Sequence, residues 1–163
     1  MTIVALSFST YASAQLDENS RNFLIDLYQA TDGDNWQANG GWLGPEGTEC
    51  NWARVQCLGS SGDFLLDLKG NRMSGELPDS ILDADGLVAF IASDNSISGT
   101  LHIDADDLPN LAALYLSKNS ISSFEIHPDA APNLGALRIT GSSLTGPFPP
   151  GLRGRDALED LDL

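Results

Sequence analysis

Two histidines are the side chains in this sequence best suited to acid–base catalysis. His102 and His127 lie on separate segments, and neither accompanies a serine or cysteine in the glycine-flanked pattern of a hydrolase nucleophile. The glycine- and serine-rich stretch at 59–62 contains no lysine and precedes no helical pattern, so it does not match a phosphate-binding loop. We therefore expect this chain not to be an enzyme.

Acidic residues set the electrostatics of the chain. Its 23 Asp and Glu against 8 Lys and Arg give a net charge of −15, which argues against nucleic acid or an anionic membrane surface as a partner. Asp104, Asp106 and Asp107 could suggest calcium, but their segment lacks ligands at alternating positions and a bidentate glutamate. We predict no metal and no cofactor.

A recurring leucine pattern organises most of the chain. Asn71, Asn95 and Asn119 are 24 positions apart and follow the same L-x-x-L-x-L-x-x-N-x-L arrangement. A period of about 20–29 residues with this motif marks a leucine-rich repeat, with one short strand in each coil. The coils stack because no single coil can bury its own apolar face. We predict an α/β solenoid, a right-handed superhelix with coils at 63–86, 87–110, 111–133 and 134–157 and a partial coil at 158–163.

The asparagine column predicts how the chain turns out of each strand. A buried side-chain amide can satisfy backbone groups that the bend leaves without ladder partners. In the fourth coil Ser142 occupies this position, and a hydroxyl replaces only part of the amide's hydrogen bonding. We therefore expect Asn95→Ala to cost more stability than Ser142→Ala.

Residues 15–62 have the features of an amino-terminal cap. Acidic and capping residues at 17–20 precede a helical spacing of apolar side chains at Phe23, Leu24 and Leu27. The chain's three tryptophans, Trp36, Trp42 and Trp52, follow before the first repeat. Large aromatic side chains at this place suit a plug over the open end of the leucine core.

Three motifs carry a resemblance to a known class. The motifs are Ala30-Thr31-x-Gly33-x-x-Trp36, the segment Cys50-Asn51-Trp52-Ala53-Arg54-Val55-Gln56-Cys57, and L-x-G-x-x-P segments such as 73–78 and 144–149. Together, over residues 17 to 163, they resemble plant-type leucine-rich-repeat proteins with their amino-terminal domain. In that class the last motif forms a second short strand and twists the solenoid. Arg54 departs from the class, which usually has glycine there, and the third coil departs at Ser122-Ser123-Phe124.

The resemblance implies a structural disulfide between Cys50 and Cys57. A metal pair or a redox thiol would be the alternatives. Two cysteines without nearby histidines make a poor zinc site, and their spacing is not C-x-x-C. A disulfide in turn implies an oxidising compartment, so we expect the protein to be secreted or exposed at the cell surface.

The two ends of the chain carry further expectations. Residues 1–14 are apolar and end in Ala12-Ser13-Ala14, which suggests a truncated signal peptide; the alternative is a short segment without a role. Nothing downstream is long and apolar enough to span a membrane. The last six residues open a fifth coil and stop within its strand, so we expect further repeats or domains to follow Leu163.

The exposed positions of the strands form the candidate binding surface. Strand alternation predicts one outward column at Asp67, Ile91, Tyr115, Arg138 and Asp162, and a second at Lys69, Ser93, Ser117 and Thr140. Tyr115 and Arg138 are of types enriched among binding hot spots. We predict a concave-face site for a protein, peptide or glycan, centred on Tyr115; an ordinary solvated sheet is the alternative.

Members of the class that the chain resembles serve as receptor ectodomains, inhibitors of foreign wall-degrading enzymes or surface adhesins. We therefore predict an extracellular or cell-surface recognition module. The alternative is the amino-terminal targeting or sensing part of a larger receptor kinase or secreted enzyme, and a structural spacer is a third possibility.

Overall fold

The computed structural model describes residues 15–163, which form a solenoid of about four turns behind an amino-terminal cap. This confirms the predicted fold; the segment 1–14 lies outside the described residues. The regular elements are one helix, α1 (Glu18–Ala30), and nine strands: β1 (Val55–Leu58), β2 (Asp63–Asp67), β3 (Ser74–Glu76), β4 (Leu87–Ile91), β5 (Ser96–Ile103), β6 (Ala113–Tyr115), β7 (Ser120–Ile126), β8 (Ala136–Arg138) and β9 (Asp160–Asp162).

The first sheet holds one strand from each coil. Its strand order is β1-β2-β4-β6-β8-β9, and all neighbours are parallel except β1 and β2, which run antiparallel. The inward column of this sheet is fully buried at Leu66, Phe90, Leu114 and Leu137, and these residues are successive register partners. The alternation of the repeat motif therefore places the intervening residues on the opposite, concave face.

A second parallel sheet, β3-β5-β7, follows the asparagine turns. The third coil contributes a full strand to it despite its departure from the motif. The fourth coil contributes none over 144–149 within the described residues, although its sequence matches the motif. Pro147 and Pro149 explain this difference, because proline has no N–H to donate to a ladder.

Helix α1 closes the first end of the solenoid. Asp17 caps it by accepting a hydrogen bond from the Ser20 N–H at 2.7 Å. Phe23 is fully buried and packs edge-on against Phe90, with ring centroids 6.3 Å apart. The helix end lies so near β3 that a Cβ on Gly75 would be 2.1 Å from the carbonyl oxygen of Ala30. Glycine is therefore required where the cap meets the second sheet.

The tryptophans form one aromatic cluster in the cap. Trp42 lies 4.8 Å from Trp36 and 5.3 Å from Trp52 between ring centroids, and Tyr28 stacks on it at 5.9 Å. All three indole N–H groups donate hydrogen bonds, to the carbonyls of Thr31 and Ala53 and to the hydroxyl of Thr48. The cluster is continuous with the leucine core, as expected for a plug.

Arg54 takes the backbone conformation that glycine would supply. Its φ is 72°, in the left-handed region that costs a residue with a Cβ about 1–2 kcal/mol. Its carbonyl accepts from the Asp67 N–H at 3.2 Å, which extends the β1–β2 pairing by one residue. The turn thus keeps its shape with arginine in place of glycine.

Candidate functional site

The first predicted column is a continuous row across the concave face. Asp67, Ile91, Tyr115, Arg138 and Asp162 are successive register partners on β2, β4, β6, β8 and β9. The first three are partly exposed, and the last two are exposed. The row therefore runs from an acid through two large side chains to a base and a second acid.

Tyr115 and Arg138 are in contact within this row. The Arg138 guanidinium carbon lies 5.4 Å from the centroid of the Tyr115 ring, within cation–π range. Asp160 accepts hydrogen bonds from Arg138 Nε at 2.9 Å and Nη2 at 2.5 Å. These bonds are the main reason that the pKa of Arg138 is raised. The ring and the carboxylate therefore both contact the guanidinium.

A further column, which the sequence argument did not single out, borders this row. Leu65, Ala89, Ala113, Ala136 and Asp160 are register partners two positions earlier on the same strands. The three alanines are half-buried and leave a low strip beside Tyr115. The same alternation that predicts the Tyr115 column could have located them, but alanine suggests no binding chemistry.

The second predicted column lies at the rim of the face. Thr140 donates to the Ser117 hydroxyl at 3.1 Å. The Lys69 ammonium lies 3.5 Å from one carboxylate oxygen of Asp94, and the Lys118 ammonium lies 3.1 Å from the other. Hydrogen bonding to Lys118 is the largest cause of the lowered Asp94 pKa. Asp94, which the sequence argument missed, therefore links the bases of the first and third coils.

Ser93 completes the rim column beside this ion network. Its backbone carbonyl accepts from the Gly70 N–H at 2.9 Å and, at 3.3 Å, from the Asn95 amide. The residue is half-buried. The structure therefore places Ser93 between the strand and the asparagine turn.

The three asparagines support these columns from behind. Asn95 accepts from the Met73 N–H at 3.0 Å and donates to the carbonyls of Leu68 and Ala92, both at 2.9 Å. Asn119 repeats the arrangement one coil later. Asn71 instead accepts from the Ala38 N–H at 2.8 Å and so ties the first coil to the cap. Each asparagine bonds to the preceding structural unit.

The Cys50–Cys57 disulfide is formed, with the Cα atoms 5.4 Å apart. It joins the turn at 49–51 to strand β1, which is the antiparallel edge of the first sheet. Beside it, the carboxylate of Glu49 is almost fully buried and pairs with Arg21. Arg21 also donates to the Gly44 carbonyl at 2.9 Å. These contacts join α1, the turn at 49–51 and strand β1 within the cap, and β1 in turn pairs with β2, where the Tyr115 row begins.

The histidines lie far from the concave row, on the second sheet and the turn after it. His102 lies between Asp104 and Glu125, with one ring nitrogen 3.0 Å from each carboxylate. Bonding to Asp104 is the largest cause of the raised His102 pKa. His127 accepts from the Asp129 N–H at 3.2 Å. Asp104 and Asp107 also bond within their own segment, since the Asp107 carboxylate accepts a hydrogen bond from the Asp104 N–H at 2.8 Å.

The arrangement on the concave face suits noncovalent recognition. It offers an aromatic ring with a stacked cation, a strip of small side chains and an ion network at the rim. Over residues 15–163 no helix is long and apolar enough to cross a membrane. No group of three or more His, Cys, Asp or Glu in that range is placed to hold a metal ion.

Comparison with known proteins finds similarity to a receptor-like kinase of a plant. It is 31% identical over 111 residues to MDIS1-interacting receptor like kinase 1 of Arabidopsis thaliana, a match that covers 68% of this chain and 11% of that protein. No family model matches the chain.

Solved structures resemble the fold over most of the chain. The Arabidopsis receptor kinase HAESA, solved with the peptide hormone IDA and the co-receptor SERK1, matches 90% of this chain and 29% of its own at 22% identity and a TM-score of 0.60. The PEPR1–AtPEP1 structure matches 88% and 24% at 23% identity and a TM-score of 0.59. The ectodomain of the receptor kinase SOBIR1 from Arabidopsis thaliana matches 91% and 94% at 15% identity and a TM-score of 0.53.

The chain thus spans a minor part of the kinase relative and of the first two structures. Its repeat pattern, its solenoid fold and the disulfide near its amino terminus nevertheless match the plant class. The chain is a plant-type leucine-rich-repeat protein with the amino-terminal cap of that class.

Proposed function

We propose that this chain is an extracellular or cell-surface recognition module that binds a protein, peptide or glycan on its concave face. The observation that carries the proposal is the Tyr115–Arg138 pair at the middle of a row that is accessible to solvent in part at Tyr115 and fully exposed at Arg138. Tyr and Arg are enriched among residues that dominate binding energy. The Cys50–Cys57 disulfide is consistent with an oxidising compartment.

The geometry favours binding because the pair is held in place before a ligand arrives. Arg138 is fixed by Asp160 on one side and by the Tyr115 ring on the other. Ordering a long side chain on binding costs about 0.5–1.5 kcal/mol, and here part of that cost has already been met in folding. The guanidinium retains N–H groups that can donate to a carboxylate or carbonyl.

The alanine strip defines the space that a ligand would occupy. Ala113 and Ala136 flank Tyr115 and Arg138 on the same two strands, and their short side chains let a ligand approach the backbone of the sheet. An extended peptide or a sugar ring could lie on this strip with one face against Tyr115. The similar structure of HAESA, which was solved with the peptide hormone IDA, makes a peptide the first ligand class to test.

The test is a binding screen of the purified chain against secreted peptides and wall glycans. Tyr115→Ala and Arg138→Glu should each weaken any ligand found by about thirtyfold or more, since hot-spot losses start near 2 kcal/mol. Asp83→Asn, an exposed acid on a return segment, is the matched control and should leave affinity unchanged. Unchanged affinity in both concave-face variants would remove this patch as the site.

A second candidate function is the amino-terminal sensing part of a larger receptor kinase or secreted enzyme. The similarity to a receptor-like kinase, of which the chain spans 11%, favours it. Sequencing the transcript through and beyond codon 163 tests it. A continued frame with a membrane span and a kinase or hydrolase domain would support this function, and a stop codon would exclude it.

A further inference from the structure

The second sheet has a cavity at its β7 edge that the concave-face function does not use. No strand pairs with the outer side of β7 within the described part of the chain. The fourth coil follows this edge at first, because Ser143 and Thr145 donate to the carbonyls of Ile121 and Ser122 at 3.0 and 3.2 Å. Beyond Thr145 no backbone hydrogen bond joins Phe124 to the fourth coil in residues 15–163.

Proline explains why the pairing stops. Residues 147, 149 and 150 are prolines, and they have no N–H with which to continue the ladder. The coil returns to β7 at Gly151, where a Cβ would lie 1.8 Å from the carbonyl oxygen of Ile126. Between Thr145 and Gly151 the two segments line an open cavity of about 410 Å³. That volume lies within the range of about 300–1,000 Å³ typical of ligand sites.

The free backbone groups of Phe124 point into this cavity. Alternate residues of a strand between parallel neighbours bond to opposite sides. The His127 N–H donates to Ile103 on the β5 side. Phe124 lies three positions earlier in the chain, beyond the register shift at Ser122, so it has the opposite parity and its N–H and C=O face the fourth coil. They offer a donor and an acceptor to an extended chain.

The rim of the cavity is acidic. Glu125 and Asp104 are exposed and lie on either side of His102, each 3.0 Å from a ring nitrogen. Asp129 follows the cavity-lining Pro128. The nearby Arg155 is bound to carbonyls of the turn, including those of Ala131 and His127. The negative rim adds to a net charge of −15, which attracts a basic ligand.

We propose that this cavity binds a short, extended, basic segment of a protein partner. The segment's main chain bonds to the N–H and C=O of Phe124, and its Lys or Arg side chain reaches Glu125 and Asp104. A neighbouring apolar side chain packs on Pro147 and Pro149. The site is independent of the Tyr115 row, since it lies on the other sheet.

The experiment is an NMR titration of the ¹⁵N-labelled chain with the capped tripeptide acetyl-Val-Arg-Val-amide. The backbone amides of Phe124 and Glu125 should shift, and acetyl-Val-Glu-Val-amide at the same concentrations should not produce those shifts. Glu125→Gln should weaken binding by up to about fivefold, the factor that corresponds to an exposed ion pair. Asp83→Asn is the control acid outside the cavity and should bind as the parent does.

A peptide methylated on the backbone nitrogen that meets Phe124 tests the main-chain bonds without altering the protein. It should bind markedly more weakly than the unmethylated peptide. The proposal is overturned if the Phe124 amide does not shift, or if the acidic and basic peptides bind equally. Equal binding of the methylated and unmethylated peptides would overturn it as well. None of these outcomes bears on the concave-face function, because the Tyr115 and Arg138 variants test that separately.

Discussion

Replacing Asn95 with alanine should be among the most damaging single changes in the turns of this solenoid. Its side chain makes three hydrogen bonds of 3.0 Å or less, to Met73, Leu68 and Ala92. At about 1 kcal/mol for each bond, Asn95→Ala should lower the free energy of unfolding by about 3 kcal/mol. Asn119 makes the same three kinds of bond, so Asn119→Ala should cost a similar amount.

The other two positions of the column should rank below these. Asn71 makes one bond at 2.8 Å and a longer one at 3.4 Å, so Asn71→Ala should cost about half as much. The Ser142 hydroxyl is buried and has no hydrogen-bond partner within the described residues. Ser142→Ala should therefore be neutral or slightly stabilising, because it removes an unsatisfied polar group.

Ser142→Asn provides the converse test. By analogy with Asn119, an amide there would meet the N–H of Ile121 and the carbonyls of Leu116 and Ile139. It should stabilise the fourth coil by about 1–2 kcal/mol.

Urea titration of the variants, read by circular dichroism, gives these differences. Asn95→Asp is the matched variant, since it keeps the acceptor but turns a carboxylate oxygen toward the carbonyls of Leu68 and Ala92, and it should cost at least as much as Asn95→Ala at neutral pH. Because repeat proteins can unfold coil by coil, amide hydrogen exchange should show that any change in stability in the Ser142 variants is confined to the fourth coil. Equal destabilisation by Asn95→Ala and Ser142→Ala would refute this account of the column.

Three further predictions concern the cap and the second sheet. Replacing Cys50 and Cys57 together with serine should cost about 2.5 kcal/mol, from the chain entropy of a loop with a separation of 7, and the oxidised and reduced parent should differ by a similar amount in a thermal melt. Arg54→Gly should stabilise by about 0.5 kcal/mol, because relief of the left-handed strain exceeds the added freedom of the unfolded chain; a lower Tm would contradict it. The raised pKa of His102, mainly due to Asp104, means that its contribution is present below about pH 6.5 and is lost as pH rises through the folded-state pKa. His102→Gln should therefore lose more stability relative to the parent at about pH 5.5 than at about pH 8, and an equal loss at both would exclude the effect.

Much of the fold could be predicted from the repeat, because the position of the strand within each coil is set by the sequence of that coil. The period locates the strands, and strand alternation places Ile91, Tyr115 and Arg138 in one row without further information. The cap needed the resemblance as well, since composition alone shows only that Trp36, Trp42 and Trp52 cluster in the chain. The pairing of Cys50 with Cys57 likewise came from the resemblance and is confirmed by the structure.

The features that sequence reasoning missed depend on relations between coils. Asp160 holds Arg138 from the next coil, and Asp94 collects lysines from the coils on either side. The repeat motif does not specify which residue of a neighbouring coil the side chains of Asp94 and Asp160 will contact. The absence of a second strand in the fourth coil was not predicted for another reason. Pro147 and Pro149 fit the motif of the class, and yet they leave β7 without a neighbouring strand.

The direction of the asparagine bonds has a consequence for synthesis on the ribosome. The partners of Asn71, Asn95 and Asn119 in neighbouring units, such as Ala38, Leu68 and Ile97, all come earlier in the chain. Each asparagine can therefore form its hydrogen bonds to the preceding unit as soon as it leaves the exit tunnel, before the later sequence is made. The cap, made first, serves as the template for this one-way assembly. Loss of the cap would remove the starting surface, and every later coil would depend on a neighbour that had not docked.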